Sequence, residues 1–176
     1  MLDLKQDYFA LFGLPTGFAI DMDRLEQAYL DIQGRVHPDR FAHLSDADKR
    51  LSMQWATHAN EAFRTLKSPL ARGQYLLELK GIDPAFETNT AMSPEFLMEQ
   101  MEWREALGEA REAADEEVLE DLARRIRHAN RALIEQLELE LDQKGDLHAA
   151  ADTVRRLKFL EKLQHEINDA LTALES

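Results

Sequence analysis

Apolar residues recur every three or four positions along most of the chain, the spacing that places them on one face of a helix. In the first half this pattern predicts four helices: one within DYFALFGLP, one over about 23–37, one from Ser45 to the Ser68-Pro69 step, and one within LARGQYLLELKG. Pro38 stands where the second of these helices must end. The predicted buried faces contain Leu25, Ala28, Tyr29, Ile32 and Val36 in the second helix, and Leu51, Trp55, Ala59, Ala62, Phe63 and Leu66 in the third.

The second half of the chain has the pattern of a helical bundle. Ser93 followed by Pro94 combines a capping side chain with a proline at the first helical position, which is a strong helix start. Amphipathic helices are predicted at about 94–113, 116–142 and 147–174. Their short connections favour an antiparallel three-helix bundle.

The segment GIDPAFETNTAMSP, at 81–94, interrupts the helical periodicity with glycine, proline, asparagine and threonine. The charge changes at the same place, because residues 1–80 carry a net charge of −1 and residues 81–176 one of −12. We therefore predict an all-α chain with an N-terminal domain at 1–80, a linker at 81–93 and a three-helix bundle at 94–176.

Composition narrows the classes of partner. The chain has 34 Asp and Glu against 21 Lys and Arg, and this net charge of −13 disfavours nucleic acids and anionic membranes as partners. The absence of cysteine excludes disulfides, thiolate zinc sites and thiol nucleophiles. Neither a signal-peptide pattern nor an apolar run long enough to span a bilayer is present, so we expect a cytoplasmic protein.

The segment GRVHPDRF, at 34–41, places His37, Pro38 and Asp39 at the bend between two predicted helices. A purely structural interpretation is available, because proline ends a helix, aspartate bonds turn amides and histidine suits a helix C-terminus. A metal or acid–base site is another, with His43 and His58 as further ligands. Helical metal sites need ligands at fixed spacing, as in H-E-x-x-H, and these histidines are scattered. We therefore expect no metal, no cofactor and no catalytic residue.

The context of the tripeptide is more specific than the tripeptide itself. With FGLP before it and EAFRTLKSPLARGQYL after it, the chain over roughly 6–80 resembles the J domain, an antiparallel helical hairpin with short flanking helices. J domains dock on DnaK-type chaperones and stimulate their ATPase, and their aspartate engages an arginine of the chaperone. The resemblance implies chaperone contacts for the tripeptide and three basic residues: His37, Pro38, Asp39, Arg24, Arg35 and Arg40.

Two sets of residues in the bundle do not fit the core stripes of their helices. Leu97, Met98 and Met101 form a second apolar patch beside the stripe that contains Phe96. On the last helix, Phe159 lies off the core face, and its neighbours are basic: Arg155, Lys158 and Lys162. Periodicity alone leaves open whether these residues contact a partner or the first domain.

The segments FLMEQMEWREAL and AADTVRRLKFLEKL are similar to those that mark the C-terminal domain of HscB-type co-chaperones, the J proteins of iron–sulfur cluster assembly. The resemblance runs from Asp7 to the last helix. It implies an L-shaped, non-enzymatic molecule that stimulates a dedicated HscA-type chaperone and delivers an IscU-type scaffold protein to it, promoting cluster maturation and transfer. Scaffold contacts carry over to six residues: Leu97, Met98, Met101, Glu102, Glu105 and Phe159.

Besides a helical metal hydrolase, which stoichiometric metal after purification would reveal, two other functions remain open. One is a general J-protein co-chaperone for unfolded clients, a class that often carries a Gly/Phe-rich segment or cysteine-rich zinc modules, both absent from this sequence. The other is a scaffold adaptor that has lost chaperone contact.

Overall fold

The computed structural model describes residues 3–41, 43–84 and 93–176, and every regular element in these ranges is helical. The α-helices are α1 (Tyr8–Leu11), α2 (Met22–Val36), α3 (Asp46–Lys67), α4 (Pro69–Leu79), α5 (Pro94–Ala113), α6 (Glu116–Glu138) and α7 (Leu147–Glu175). A 3-10 turn occupies Pro38–Phe41, and a π-helical turn occupies Leu139–Lys144. The predicted all-α class is confirmed. Among the described helices, none combines the length and apolar character needed to cross a membrane.

The chain divides into two compact units, Met1–Leu76 and Leu77–Ser176. Most of the predicted linker, 85–92, lies outside the described residues. The predicted domain limits therefore stay a prediction, and each unit is described by itself.

The first unit is built on a hairpin of α2 and α3. The Ser52 hydroxyl, near the start of α3, donates a hydrogen bond to the carbonyl of Val36 at the end of α2. Two turns further along α3, Asn60 accepts a hydrogen bond from the hydroxyl of Tyr29, which lies earlier in α2. The two helices therefore run antiparallel. Proline after His37 ends α2, because proline has no amide to donate and disfavours helical backbone in the residue before it.

The buried face of α3 differs by one position from the prediction. Leu51 is 44% exposed, whereas Ser52 is only 2% exposed and shares the buried face with Ala59, Ala62 and Leu66. Seven residues separate Ser52 from Ala59, close to two helical turns, so Leu51 lies about 100° away from that face. The prediction that Leu51 is a core residue is wrong.

Local capping signals account for the helix starts. Ser45 accepts a hydrogen bond from the amide of Asp48 at 3.2 Å, and Ser93 accepts one from the amide of Phe96 at 3.2 Å. Asp21 caps α2, which begins one residue earlier than predicted. Such caps provide hydrogen-bond acceptors for amides of the first helical turn, which have no acceptor within the helix.

In the second unit, α5, α6 and α7 surround one apolar core. Glu99 pairs with Arg156 and Arg104 with Glu166, so α5 and α7 run parallel, with α6 antiparallel to them. One cluster of this core consists of the buried residues Leu107, Ala110, Leu119, Leu122, Ala123, Ile126, Leu160, Leu163 and Ile167.

The end of α6 departs from the predicted helix. The regular α-helix stops at Glu138, and the π-helical turn that follows buries Glu140 to 5% exposure. A carboxylate oxygen of Glu140 accepts a hydrogen bond from the Thr153 hydroxyl at 2.5 Å. Gly145 then ends the turn with φ +62°, a left-handed conformation that suits glycine.

Candidate functional site: two exposed surfaces

The turn after α2 is held by a small set of backbone contacts. His37 adopts an extended backbone at φ −60° and ψ 133°, and the 3-10 turn starts at the next residue. The amide of Arg40 donates to the His37 carbonyl at 3.0 Å. The turn is therefore a defined structure, and its second residue is Asp39.

Asp39 presents its carboxylate to solvent. Its side chain is 91% exposed, and that of His37 is 59% exposed. The amide of Asp39 donates to Nδ1 of His37 at 3.2 Å, and a carboxylate oxygen of Asp39 lies 3.5 Å from the same nitrogen. A carboxylate so exposed is accessible to a guanidinium group, with which it can form a charge-assisted hydrogen bond. The side chain of Pro38 is outside the described part of the chain.

The three arginines predicted to contact a chaperone do not form one cluster. Arg35 lies in the last turn of α2 and Arg40 in the 3-10 turn, both exposed and within a few residues of Asp39. Arg24 is eleven residues before Arg35, about 16 Å along the helix. Its guanidinium donates to the Gly13 carbonyl at 3.4 Å, so it also ties the start of α2 to the end of α1.

The apolar patch predicted on α5 is exposed. Leu97 is 42% exposed, Met98 62% and Met101 71%. Glu105 continues the line of Leu97 and Met101 at four-residue steps, and the exposed Glu102 stands four residues after Met98. These five residues thus form one surface, apolar at the start of α5 and acidic further along; we call them the α5 surface.

Phe159 is half-buried rather than fully exposed. Its ring meets that of Phe96 edge-on, and the guanidinium of Arg104 lies 5.4 Å from its ring centroid. Arg104 is itself paired with Glu166 of α7, and it lies three residues beyond Met101 on the same side of α5. The structure therefore brings Phe159 to the margin of the α5 surface.

The predicted basic surroundings of Phe159 need a correction. Arg155 is only 9% exposed, donates to the Pro84 carbonyl at 3.4 Å and pairs with Asp152. Burial lowers the pKa of the Arg155 guanidinium. Arg155 is therefore an interior residue of the second unit and does not belong to an exposed basic rim.

Sequence reasoning missed Phe96 and Arg104 as supports of Phe159. The helical spacing assigned Phe96 to the core, which is correct, since it is 2% exposed. Its contact with Phe159 comes from a helix about 60 residues away in sequence, so no local pattern could reveal it. The sequence contains only a weak indication of the role of Arg104: it follows Met101 at a three-residue step, which places the two residues side by side on the helix.

Of the candidate metal ligands, His58 has structural surroundings. Over the described ranges, no three His, Asp or Glu side chains converge as a metal site. His58 packs edge-on against the rings of Tyr8 and Trp55 in the first unit. The pair of His37 and Asp39 stands alone in the turn as a close histidine–carboxylate contact.

Comparison with known proteins finds relatives that match almost the full length of the chain. A co-chaperone protein HscB homolog from Aromatoleum aromaticum is 61% identical over 175 residues, covering 99% of both chains. The chain belongs to the HscB co-chaperone family. A second HscB homolog, from an Azoarcus species, is 62% identical over 99% of both chains. The family model for the HSCB C-terminal oligomerisation domain matches residues 92–168.

Solved HscB structures share the fold of this family member. HscB from Vibrio cholerae is 40% identical and superposes with a TM-score of 0.83, covering 96% of this chain and 99% of that one. Human co-chaperone protein HscB is 30% identical, with a TM-score of 0.87 and coverage of 94% and 82%. The predicted combination of a J domain and a C-terminal helical domain is confirmed.

Proposed function

We propose that this HscB family member stimulates the ATPase of a dedicated DnaK-type chaperone and delivers an iron–sulfur cluster scaffold protein to it. The first activity belongs to the turn at His37–Asp39 and the second to the α5 surface with Phe159. The scaffold then passes its cluster to acceptor proteins. The cluster is cargo, the chain needs no cofactor of its own, and we place this work in the cytoplasm.

The observation that carries the proposal is the 91% exposure of the Asp39 side chain in a turn held by its own backbone. Little conformational freedom remains to be lost on docking, because a proline and two hydrogen bonds already restrict the loop. A chaperone arginine facing Asp39 would gain a charge-assisted bond, and buried bonds of this kind are stronger than neutral ones.

Arg35 and Arg40 add exposed positive charges shortly before and directly after Asp39 in the sequence. Neither has a described ion-pair partner, so both are available to an acidic surface of the chaperone. Positive and negative side chains this close in sequence fix the orientation of docking, since a partner must present an arginine and acidic groups in matching places. The exposed Glu26 and Asp31 limit the positive field along the rest of α2.

The α5 surface supports the scaffold assignment. Exposed apolar side chains in a group are a common mark of protein–protein contact, and methionine adapts to an irregular partner. The acidic side chains of Glu102 and Glu105 beside them favour a partner that surrounds an apolar spot with basic residues. An unfolded client would use the apolar part alone, so the acidic part favours a specific folded partner over the general co-chaperone function.

The chaperone activity is tested by steady-state ATP hydrolysis of a purified HscA-type chaperone with increasing amounts of this protein. We expect stimulation by the natural chain and none by Asp39→Asn, with the melting temperature unchanged because the side chain is exposed. Glu61→Gln, which removes an exposed carboxylate from α3, is the matched control and should stimulate fully. Stimulation by Asp39→Asn equal to the control would contradict the proposal and leave the adaptor function.

The scaffold activity is tested by calorimetric titration of an IscU-type scaffold into the protein. A triple change of Leu97, Met98 and Met101 to alanine should abolish binding without loss of helicity. Val118→Ala, at a position 45% exposed on α6, is a control that should bind normally. A chemically unfolded protein that competes as well as the scaffold would favour the general co-chaperone instead.

A further inference from the structure

The carbonyl of Val36 is the last backbone acceptor of α2 before the docking turn, and it faces a buried hydroxyl of α3. The Ser52 hydroxyl donates to this carbonyl at 2.5 Å, across sixteen residues of sequence. Ser52 is 2% exposed and Val36 5% exposed. The bond is therefore an interior contact between the two arms of the hairpin, placed one residue before His37.

The turn itself deprives this carbonyl of its usual helical partner. In a continuing α-helix, the Val36 carbonyl would accept from the amide of Arg40, four residues on. That amide instead donates to the His37 carbonyl at 3.0 Å, as part of the 3-10 turn. A buried carbonyl without a donor is destabilising, so the hydroxyl of Ser52 has a specific role here.

A serine is an unusual choice for this position. The other buried residues of α3 are apolar, namely Ala59, Ala62 and Leu66. Serine is a poorer helix former than alanine, and inside a helix its hydroxyl commonly bonds back to its own preceding turn. Here the hydroxyl reaches a different helix. Alanine would fill nearly the same volume with better helix propensity, so packing alone does not explain the hydroxyl.

We propose that Ser52 is a positioning residue of the chaperone-docking turn. Its hydroxyl fixes the end of α2 and thereby the direction in which Asp39 is presented to the chaperone. This inference rests on the proposed function of Asp39, and it adds a second contributor that never touches the chaperone. A turn held in its docking conformation loses less freedom on binding, so Ser52 acts on affinity rather than on the stimulated rate.

The test compares Ser52→Ala with Ser68→Ala in the ATPase titration. Ser68 caps α4 at the far end of α3, where its hydroxyl accepts from the amide of Ala71 at 3.2 Å, so its loss also lowers stability. For Ser52→Ala we expect the half-maximal concentration to rise roughly three- to tenfold, the effect of one lost buried hydrogen bond, with the maximal rate unchanged. For Ser68→Ala we expect no change in either quantity.

A second readout does not depend on the chaperone. Amide order parameters from NMR relaxation should fall at Asp39 and Arg40 in Ser52→Ala and stay at natural values in Ser68→Ala. Ser52→Thr, which keeps a hydroxyl, should restore them. If Ser52→Ala does not fold, Ser52→Cys, with similar volume and a weaker donor, undergoes the same two measurements and should show smaller shifts in the same direction.

The outcomes separate the two proposals. The positioning role is overturned if Ser52→Ala and the natural chain have equal half-maximal concentrations. It is also overturned if Ser52→Ala and Ser68→Ala change the half-maximal concentration or the order parameters equally. If the natural chain fails to stimulate the chaperone, the proposed function fails. The order parameters then still decide the role of Ser52: unchanged values at Asp39 and Arg40 overturn it, and lowered values support it.

Discussion

The ring of Phe159 stands edge-on to the ring of Phe96, with centroids 6.1 Å apart and planes at 88° to each other. This is a favoured geometry for aromatic pairs, because the positive edge of one ring meets the negative face of the other. Phe96 is buried, so the contact joins the core of the bundle to the margin of the α5 surface. Phe159 therefore contributes to folding and, under the proposed function, to scaffold binding.

Replacing Phe159 should affect stability and binding together. We expect Phe159→Ala to lower the free energy of unfolding by about 1–3 kcal/mol, less than for a fully buried phenylalanine, and to weaken scaffold binding. Met101→Ala should weaken binding alone, since its side chain is 71% exposed. Urea unfolding and calorimetric titration of both variants give the comparison. Loss of stability in Met101→Ala, or none in Phe159→Ala, would contradict it.

Charge removal near the docking turn should act on the rate of association. Arg35→Gln and Arg40→Gln should slow chaperone binding at low salt and matter less at high salt, because exposed charges are screened. Arg24→Gln should have a smaller effect on binding and should also lower stability, since its guanidinium bonds the Gly13 carbonyl. Stopped-flow measurements at two ionic strengths give the association rate of each variant with the chaperone. A uniform effect of all three changes, independent of salt, would be the contrary result.

Two glycines of the first unit should respond to alanine in opposite directions. Gly34 is exposed inside α2, whereas Gly13 has φ +64°, and a Cβ at either position would meet no atom within 4 Å. Gly34→Ala should therefore stabilise the chain by about 0.5–1 kcal/mol, through better helix propensity. Gly13→Ala should destabilise it by about 1–2 kcal/mol, because an L-residue is strained there. Thermal unfolding of both variants checks the two signs, and a shared sign would be inconsistent with this backbone argument.

The π-helical turn should depend on one buried hydroxyl. Thr153 is 1% exposed and donates to the buried carboxylate of Glu140, so Thr153→Val should lower the free energy of unfolding by about 1–3 kcal/mol. Thr172→Val removes an exposed hydroxyl that bonds the Asn168 carbonyl, and its effect should stay within about 0.5 kcal/mol. Equal effects in urea unfolding would show that the Glu140 contact adds nothing to stability.

The helix limits could be predicted because their signals are local. Ser45 and Ser93 cap amides only three residues away, and Pro38 ends α2 through its own ring and missing amide. Local helical spacing also placed Leu97 and Met101 off the core stripe of α5, and both side chains are exposed. Their role in binding stays a prediction.

The remaining features depend on contacts between distant residues. An apolarity pattern selects Leu51 over Ser52 for the core, but the partner of Ser52 is the Val36 carbonyl, on another helix. The π-helical turn likewise involves a buried carboxylate whose hydrogen-bond donor, Thr153, lies on another helix, α7. A basic residue such as Arg155 is expected on the surface from its charge, but its guanidinium is held in the interior by a hydrogen bond to the Pro84 carbonyl, which is distant in sequence.

The central claim is that one chain carries both the chaperone contact and the scaffold contact. It is tested most directly by capture of fluorescent IscU-type scaffold on an immobilised HscA-type chaperone in the presence of ATP. The natural chain should promote capture, and neither Asp39→Asn nor the triple alanine variant at Leu97, Met98 and Met101 should do so. A mixture of the two variants, at concentrations where each is monomeric, should also fail, because no molecule in it carries both surfaces. Capture by the mixture at the rate of the natural chain would contradict the account.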